Sequence, residues 1–171
     1  DGVDLILGPE MKSTGEVMGI DQTFLSSYIK SQIACGNILP SKGNVFISID
    51  DDNKKNIISI ASKLQKLNFK LIATQGTAKF LNDNNIITKK INKVKEGSPH
   101  IVDSLINNKI NLVINTTKSQ SSIKDSYSIR RTSLMYNIPY YTTIAGAKVA
   151  IDAIEHMKKN DFNIKSLQTI Y

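Results

Sequence analysis

From residue 44 onward, short apolar runs alternate with segments whose apolar residues recur at helical spacing. Uninterrupted apolar runs are typical of strands that are buried on both faces of a parallel sheet. The segments between them place apolar residues at i, i+3, i+4 and i+7, which indicates amphipathic helices. The alternation predicts an α/β fold, a doubly wound parallel sheet of about five strands with helices on both faces. The predicted strands are 45–49, 69–73, 86–91, 110–114 and 138–141.

The residues before this alternation have a different character. Residues 23–35 carry Phe24, Leu25 and Tyr28 at helical spacing, and Gly36 is expected to end that helix. The segment 37–43 contains Pro and Gly and indicates a linker. A mostly helical N-terminal segment is therefore expected to precede the sheet.

The net charge of +7 is unevenly distributed along the chain. Residues 1–52 hold 3 Lys and 8 acidic residues, a net charge of −5, whereas residues 53–171 hold 19 Lys and Arg and 7 acidic residues, a net charge of +12. The second part would attract anions. Its basic residues are almost all lysine, with few aromatic residues between them, so nucleic acid is not an expected partner. No apolar run approaches the roughly 20 residues that span a bilayer, so no membrane contact is expected either.

Ligands of doubly wound sheets bind outside the carboxyl ends of the strands, and four consecutive predicted strand ends carry suitable groups. The second strand runs into TQGT (74–77) before a helix, and the fourth runs into NTT (115–117). Lys54 and Lys93 follow the first and third strands. Each feature alone is typical of ordinary capping, turn or surface residues. Together, two lysines, hydroxyl groups, a glycine and a helix N-terminus favour a site for an anion or a phosphate ester.

Few residues indicate catalysis. His100 and His156 lack the spacing of metal ligands and are expected on a helix surface or at the edge of the core. The single cysteine, Cys35, excludes an internal disulfide framework and is expected to be a buried or neutral thiol. The three aspartates at 50–52 stand at a predicted helix start, where Asp51 and Asp52 are typical of capping and helix-dipole residues rather than of metal ligands.

Several longer blocks resemble one family, the large chains of carbamoyl-phosphate synthetases. The segment PEMKSTGEVMGI (9–20) is similar to the stretch that closes the second ATP-grasp half of those chains. Five further blocks agree in order: ATQGTAKFL (73–81), INKVKEGSPHIVD (91–103), VINTT (113–117), SIRR (128–131) and YYTTIAGA (140–147). The resemblance covers essentially all 171 residues. It implies that 1–40 is the tail of the carbamoyl phosphate (ATP-grasp) domain and that 41–171 form a methylglyoxal synthase-like allosteric domain.

The resemblance implies a regulatory role in a glutamine-hydrolysing enzyme that makes carbamoyl phosphate from glutamine or ammonia, bicarbonate and ATP. That product feeds arginine and pyrimidine biosynthesis. The fragment alone is expected to be non-catalytic and to hold no cofactor or metal, because the family's residues for ATP and for Mg or Mn lie upstream. Its expected partners are the upstream ATP-grasp domains, the glutaminase small subunit and small-molecule effectors, with a homo-oligomer of the full enzyme left open. The expected location is the cytoplasm.

The resemblance also implies which residues bind the effectors UMP and IMP. The family's nucleotide-phosphate pocket is matched at Lys54, Thr74, Thr77, Lys93, Asn115 and Thr117. Ser48 matches a position that affects the response to UMP, and the strand-end pattern adds Gly76. Lysine at position 93 favours a phosphate-bearing effector, since the animal form that responds to N-acetylglutamate has an aromatic residue there. The aspartates at 50–52 depart from some relatives and add negative charge that would weaken phosphate binding.

A second effector site is implied only in part. Tyr140 and Thr142 match the family's site for the activator ornithine, whose acidic members lie upstream of this sequence.

Two other functions use the same features. The first is a free-standing methylglyoxal synthase-like phosphate lyase acting on dihydroxyacetone phosphate, which would need neither segment 9–20 nor a 40-residue segment before the sheet. The second is a nucleotide-sensing module of another enzyme.

Overall fold

The predicted alternation of strands and helices is present in the computed structural model, which describes residues 16–116 and 120–160 but not the side chains of 120–125. Most of segment 9–20 and everything beyond residue 160 lie outside the described residues. The elements are α1 (Phe24–Ala34), β1 (Gly43–Ser48), a 3₁₀ turn (Asp51–Asn53), α2 (Lys54–Lys66), β2 (Phe69–Ala73), α3 (Gln75–Asp83), β3 (Thr88–Lys90), a second 3₁₀ turn (Val94–Glu96), α4 (Ile101–Ile106), β4 (Leu112–Asn115), α5 (Gln120–Met135), β5 (Tyr140–Tyr141) and α6 (Ile144–Lys159).

The five strands form one sheet in the order β3-β2-β1-β4-β5, and every pair is parallel. In this register Ile47 of the central strand β1 lies opposite Ala73 on one side and Ile114 on the other. The chain winds outward from β1 to β2 and β3, and it then crosses to the other side of β1 to form β4 and β5. A doubly wound sheet has its crevice where this winding reverses, here at the carboxyl ends of β1 and β4.

Alternate residues of β1 supply two separate cores, because successive side chains of a strand point to opposite faces. Val45 and Ile47 are fully buried in the cluster formed with α1, α2, α3 and α6. Phe46, also fully buried, belongs to the second cluster, with α4 and α5. The predicted fold class, a parallel five-stranded sheet covered by helices on both faces, is confirmed.

The helix that precedes the sheet packs onto α6. Ile29 of α1 is only 2% exposed and lies in the same cluster as Ile151 of α6. Ser26 Oγ lies 3.1 Å from His156 Nε2, which places that imidazole at the edge of the core. The hydroxyl oxygens of Tyr28 and Tyr141 are 3.3 Å apart. The division of the chain at residue 40 remains a prediction, but α1 is packed into the hydrophobic core of the sheet domain.

Of the two alternatives expected for Cys35, a buried or a neutral thiol, the first is wrong. The Cys35 side chain is exposed rather than buried, since its Sγ lies at the end of α1 and donates to the Ser31 carbonyl at 2.8 Å. Gly36 follows with a φ of +74° and ends the helix, as expected.

We expect Ile29→Ala to destabilise the chain by about 2–5 kcal/mol, because it opens a cavity between α1 and α6. Ile33→Ala on the same helix is the matched control, since Ile33 is 46% exposed and its truncation should cost less than about 0.5 kcal/mol. Equilibrium unfolding in urea measures both. Equal midpoints for the two variants would contradict the packing of α1 onto α6.

A second prediction concerns acid stability. Glu155 of α6 accepts from Lys159 at 2.6 Å and pairs with Lys63 of α2, and these two cations lower the pKa of Glu155 from 4.5 to about 2. A carboxylate whose pKa is depressed in the folded state stabilises above its unfolded pKa and loses that effect as the pH falls through the folded one. Wild type should therefore have a higher urea midpoint than Glu155→Gln at neutral pH, and the difference should vanish between pH 4.5 and about 2. A difference that persists unchanged below that window would rule out this charge pairing, and Asp83→Asn serves as the control.

Candidate functional site

A cleft of about 480 Å³ lies at the carboxyl ends of β1, β2 and β4, where the winding of the sheet reverses. Seven of the eight residues predicted for a phosphate site line this cleft: Ser48, Lys54, Thr74, Gly76, Thr77, Lys93 and Asn115. The eighth, Thr117, lies outside the described residues.

The end of β2 and the start of α3 form one wall of the cleft. Thr74 is the residue that precedes the first turn of α3, and Thr77 lies within that turn; both side chains are buried. Thr77 Oγ1 accepts from the backbone N–H of Ile49 at 3.2 Å and lies 3.4 Å from the Thr74 hydroxyl. Thr77 therefore fastens the start of α3 to the end of β1. This fixes the direction of the helix N-terminus, whose N–H groups are suited to an anion.

Gly76 keeps that helix N-terminus accessible beside a cation. A Cβ at this exposed position would lie 3.9 Å from Lys54 Nζ, so the lysine ammonium stands next to the first turn of α3. Lys54 begins α2, and its Nζ lies 2.5 Å from Asp51 Oδ1. Lys93 precedes the second 3₁₀ turn. Its backbone N–H donates to Glu96 Oε2 at 3.0 Å and so stabilises that turn. The Lys93 side chain is exposed at the cleft.

The ends of β1 and β4 are joined through Asp50 and Thr116. Thr116 Oγ1 donates to Asp50 Oδ2 at 2.6 Å and accepts from the Asp50 backbone N–H at 3.1 Å. The same carboxylate accepts from the backbone N–H of Asn53 at 3.1 Å and so caps the first 3₁₀ turn. Of the three aspartates expected to act as capping and dipole residues, Asp50 is the cap, because its carboxylate reaches forward to the third residue of the turn. Asp51 and Asp52 lie in the first turn, where negative charge was expected.

The sequence analysis did not predict five of the lining residues: Ile49, Val94, Ile101, Ser126 and Ile129. Ile101 and Ile129 are buried members of the core under α4 and α5, and a core residue carries no sequence signal that it also faces a ligand site. Thr116 was visible as part of a strand tip but was not distinguished from its neighbours. The cleft consequently combines a polar floor of strand ends with an apolar side.

Tyr140 lies beside this cleft instead of apart from it. Its hydroxyl accepts from Asn115 Nδ2 at 2.8 Å, and the Arg130 guanidinium lies 6.0 Å from the centre of its ring. Burial raises the pKa of the Tyr140 phenol above its ordinary value, while Asn115 and Arg130 partly offset that rise. Thr142, the other residue matched to an ornithine site, is exposed just after β5.

Two kinds of feature are absent from residues 16–116 and 120–160. In these parts of the chain, no three His, Cys, Asp or Glu side chains are grouped so that they could hold a metal ion. Nor does any helix there combine the length and apolar composition that crossing a membrane requires.

The fold and the position of the cleft define a class. The model of the MGS-like domain family matches residues 56–142, and the chain belongs to that family. The crystal structure of methylglyoxal synthase from Elizabethkingia anophelis NUHP1 is similar with a TM-score of 0.50 and 17% identity, covering 66% of this chain and 79% of that one. At this identity the similarity supports the fold alone.

Relatives that match nearly the whole chain identify its family more specifically than the similarity of fold does. The carbamoyl phosphate synthase large chain of Mesorhizobium japonicum is 45% identical over 170 residues, which is 99% of this chain and 15% of the relative. The corresponding protein of Myxococcus xanthus is 48% identical, over 98% of this chain and 15% of its own length. The carbamoyl phosphate synthase large chain, C-terminal section, of Methanopyrus kandleri is 48% identical over 99% of this chain and 32% of that protein. The resemblance to these large chains is confirmed, and the chain spans about 15% to 32% of the length of these relatives.

We expect Asp50→Ala to lower stability by about 1–3 kcal/mol, because it removes a helix cap and leaves the buried Thr116 hydroxyl without its acceptor. Asp83→Ala is the control for loss of an acidic side chain, since Asp83 is exposed at the end of α3. Urea unfolding followed by circular dichroism compares the two. Equal stability of both variants would argue against Asp50 as the link between β1 and β4.

Proposed function

We propose that this chain is the effector-binding, regulatory part of a glutamine-hydrolysing carbamoyl-phosphate synthetase, with the strand-end cleft as the site for UMP or IMP. The observation that carries the proposal is the convergence of seven predicted phosphate-site residues on one cleft. The chain in which they converge is 45% to 48% identical to carbamoyl phosphate synthase large chains.

The chemistry of the cleft suits a phosphate monoester. A dianion would gain from the two ammonium groups of Lys54 and Lys93, from hydroxyl donors and from the N-terminus of α3. The apolar side formed by Val94, Ile101 and Ile129 would take the less polar part of a nucleotide. Both halves of the ligand are thereby accounted for within a cleft of about 480 Å³.

The remaining parts of the proposal are what the resemblance to the family implies. The chain would act with upstream ATP-grasp domains and a glutaminase small subunit, in the cytoplasm, within an enzyme serving arginine and pyrimidine biosynthesis. ATP and Mg or Mn would belong to the upstream domains, and residues 1–171 would be non-catalytic by themselves. Tyr140 and Thr142 would contribute to an ornithine site completed elsewhere.

An effector can regulate only if it binds two arrangements of the enzyme with different affinity. A coupling free energy of roughly 1–3 kcal/mol is typical of such effects. We infer that α1 is the mechanical link, because it precedes the sheet domain in the chain and is packed against α6 through Ile29. In this proposal residues 1–40 belong to the ATP-grasp half, so a shift of the sheet domain would be transmitted through that helix.

The alternative, a methylglyoxal synthase-like lyase, needs a carboxylate base near the phosphate. The aspartates at 50–52 are the acidic residues that line the cleft. Of these, Asp50 accepts hydrogen bonds from Thr116 and Asn53, and Asp51 is paired with Lys54. These contacts engage the carboxylates of Asp50 and Asp51 in other roles, which favours binding over proton abstraction.

Calorimetric titration of the 171-residue chain with UMP, IMP and ornithine tests the proposal. We expect a nucleotide to bind and Lys93→Ala to weaken it by about 10- to 100-fold, since a hydrogen bond between charged groups contributes about 1.5–3 kcal/mol. Thr77→Ala should also weaken binding, through loss of the contact that orients α3. Lys109→Ala removes the same charge at the opposite end of β4 and should leave the affinity unchanged.

Two results would overturn this function. The first is an absence of UMP and IMP binding, or an affinity that Lys93→Ala leaves unaltered. The second is robust formation of methylglyoxal from dihydroxyacetone phosphate, which would establish the lyase instead.

A further inference from the structure

The three consecutive aspartates at the mouth of the cleft have different surroundings. Asp50 is held by Thr116 and Asn53 at the junction of β1 and β4. The Asp51 side chain is 89% exposed, lines the mouth of the cleft and lies 2.5 Å from Lys54 Nζ. The Lys54 side chain is 25% exposed, so the pair joins a solvated carboxylate to a sheltered ammonium.

Lys54 also stands beside the first turn of α3, since its Nζ lies 3.9 Å from the position of a Cβ on Gly76. An anion seated at that helix N-terminus would therefore be within reach of the same ammonium. The carboxylate of Asp51 and a phosphate oxygen would compete for it, because each carries negative charge and accepts the same kind of hydrogen bond.

We propose that Asp51 is an internal competitor that sets the affinity of the cleft for anions. In the empty cleft it neutralises Lys54; an incoming phosphate must take Lys54 from it and then remains close to the displaced carboxylate. This inference rests on the proposed function of the cleft and adds to it the residue that limits its affinity. The cost to the ligand is modest, because an exposed ion pair is weak and water screens the remaining repulsion.

Removing the charge of Asp51 should therefore tighten binding. With inorganic phosphate and UMP as probes, at constant pH and low ionic strength, we expect Asp51→Asn to lower Kd about threefold to tenfold. Asp83→Asn removes one negative charge, as Asp51→Asn does, but at the far end of α3. It should change Kd less than about twofold. Asp51→Glu retains the carboxylate and should stay close to wild type.

A double-mutant cycle separates competition for Lys54 from a general effect of charge. In a Lys54→Ala background Asp51→Asn should tighten binding much less, because the cation for which the two anions compete is gone and only the screened repulsion between them remains. In the protein that retains Lys54, high salt should also reduce the increase in affinity caused by Asp51→Asn. Circular dichroism at the titration temperature establishes that each variant is folded.

Three outcomes decide against the inference. If Asp51→Asn and Asp83→Asn have the same affinity, Asp51 is not a competitor. If Asp51→Asn tightens binding equally with and without Lys54, the effect is one of general charge. The third outcome is that wild type binds neither probe, or binds both independently of Lys54 and Lys93. In that case the proposed function of the cleft fails together with this inference. In the first two cases only the inference fails.

Discussion

The hydrogen bonds between Asp50 and Thr116 hold together the two strand ends at which the winding of the sheet reverses. The parallel strands β1 and β4 pair through backbone hydrogen bonds, and this ladder ends where the chain turns away into helices. Beyond that point, side-chain contacts must fix the loops. The hydrogen bond from the Ile49 backbone N–H to Thr77 Oγ1 likewise holds the end of β1 against the start of α3. A cleft of defined shape exists because these two contacts position three strand ends relative to one another.

Much of this architecture was predictable because burial on both faces leaves a strong sequence pattern. The strand 69–73 was predicted with the bounds it has, and β1 differs from its predicted range by two residues at one end and one at the other. The convergence of Lys54, Thr74 and Asn115 followed from the rule that parallel strands carry ligands at their carboxyl ends. That rule depends only on topology, so it requires no knowledge of side-chain conformation.

What could not be predicted depends on contacts between residues distant in sequence. Three adjacent aspartates look alike in a sequence, and only the position of Thr116 selects Asp50 as the link between strands. Ile101 is fully buried in the core, and its periodicity gave no sign that it also faces the cleft. Tyr140 was matched to a different effector site, yet its hydroxyl is one hydrogen bond from Asn115. The two proposed effector sites therefore share a structural element, which is a physical basis for interaction between them.

The charge of the cleft differs from that of the chain around it. Residues 53–171 carry a net charge of +12, which raises the local concentration of anions around the whole domain. At the cleft itself two lysines face three aspartates. The long-range field is screened beyond about 8 Å at physiological ionic strength, so it can influence the rate of encounter more than the final affinity. In the proposed site, the affinity for the ligand would depend on which side chains Lys54 and Lys93 contact before the ligand arrives. Lys54 contacts Asp51, which lies in the 3₁₀ turn directly before α2. Under this proposal a single carboxylate would adjust the response of the domain without altering its fold.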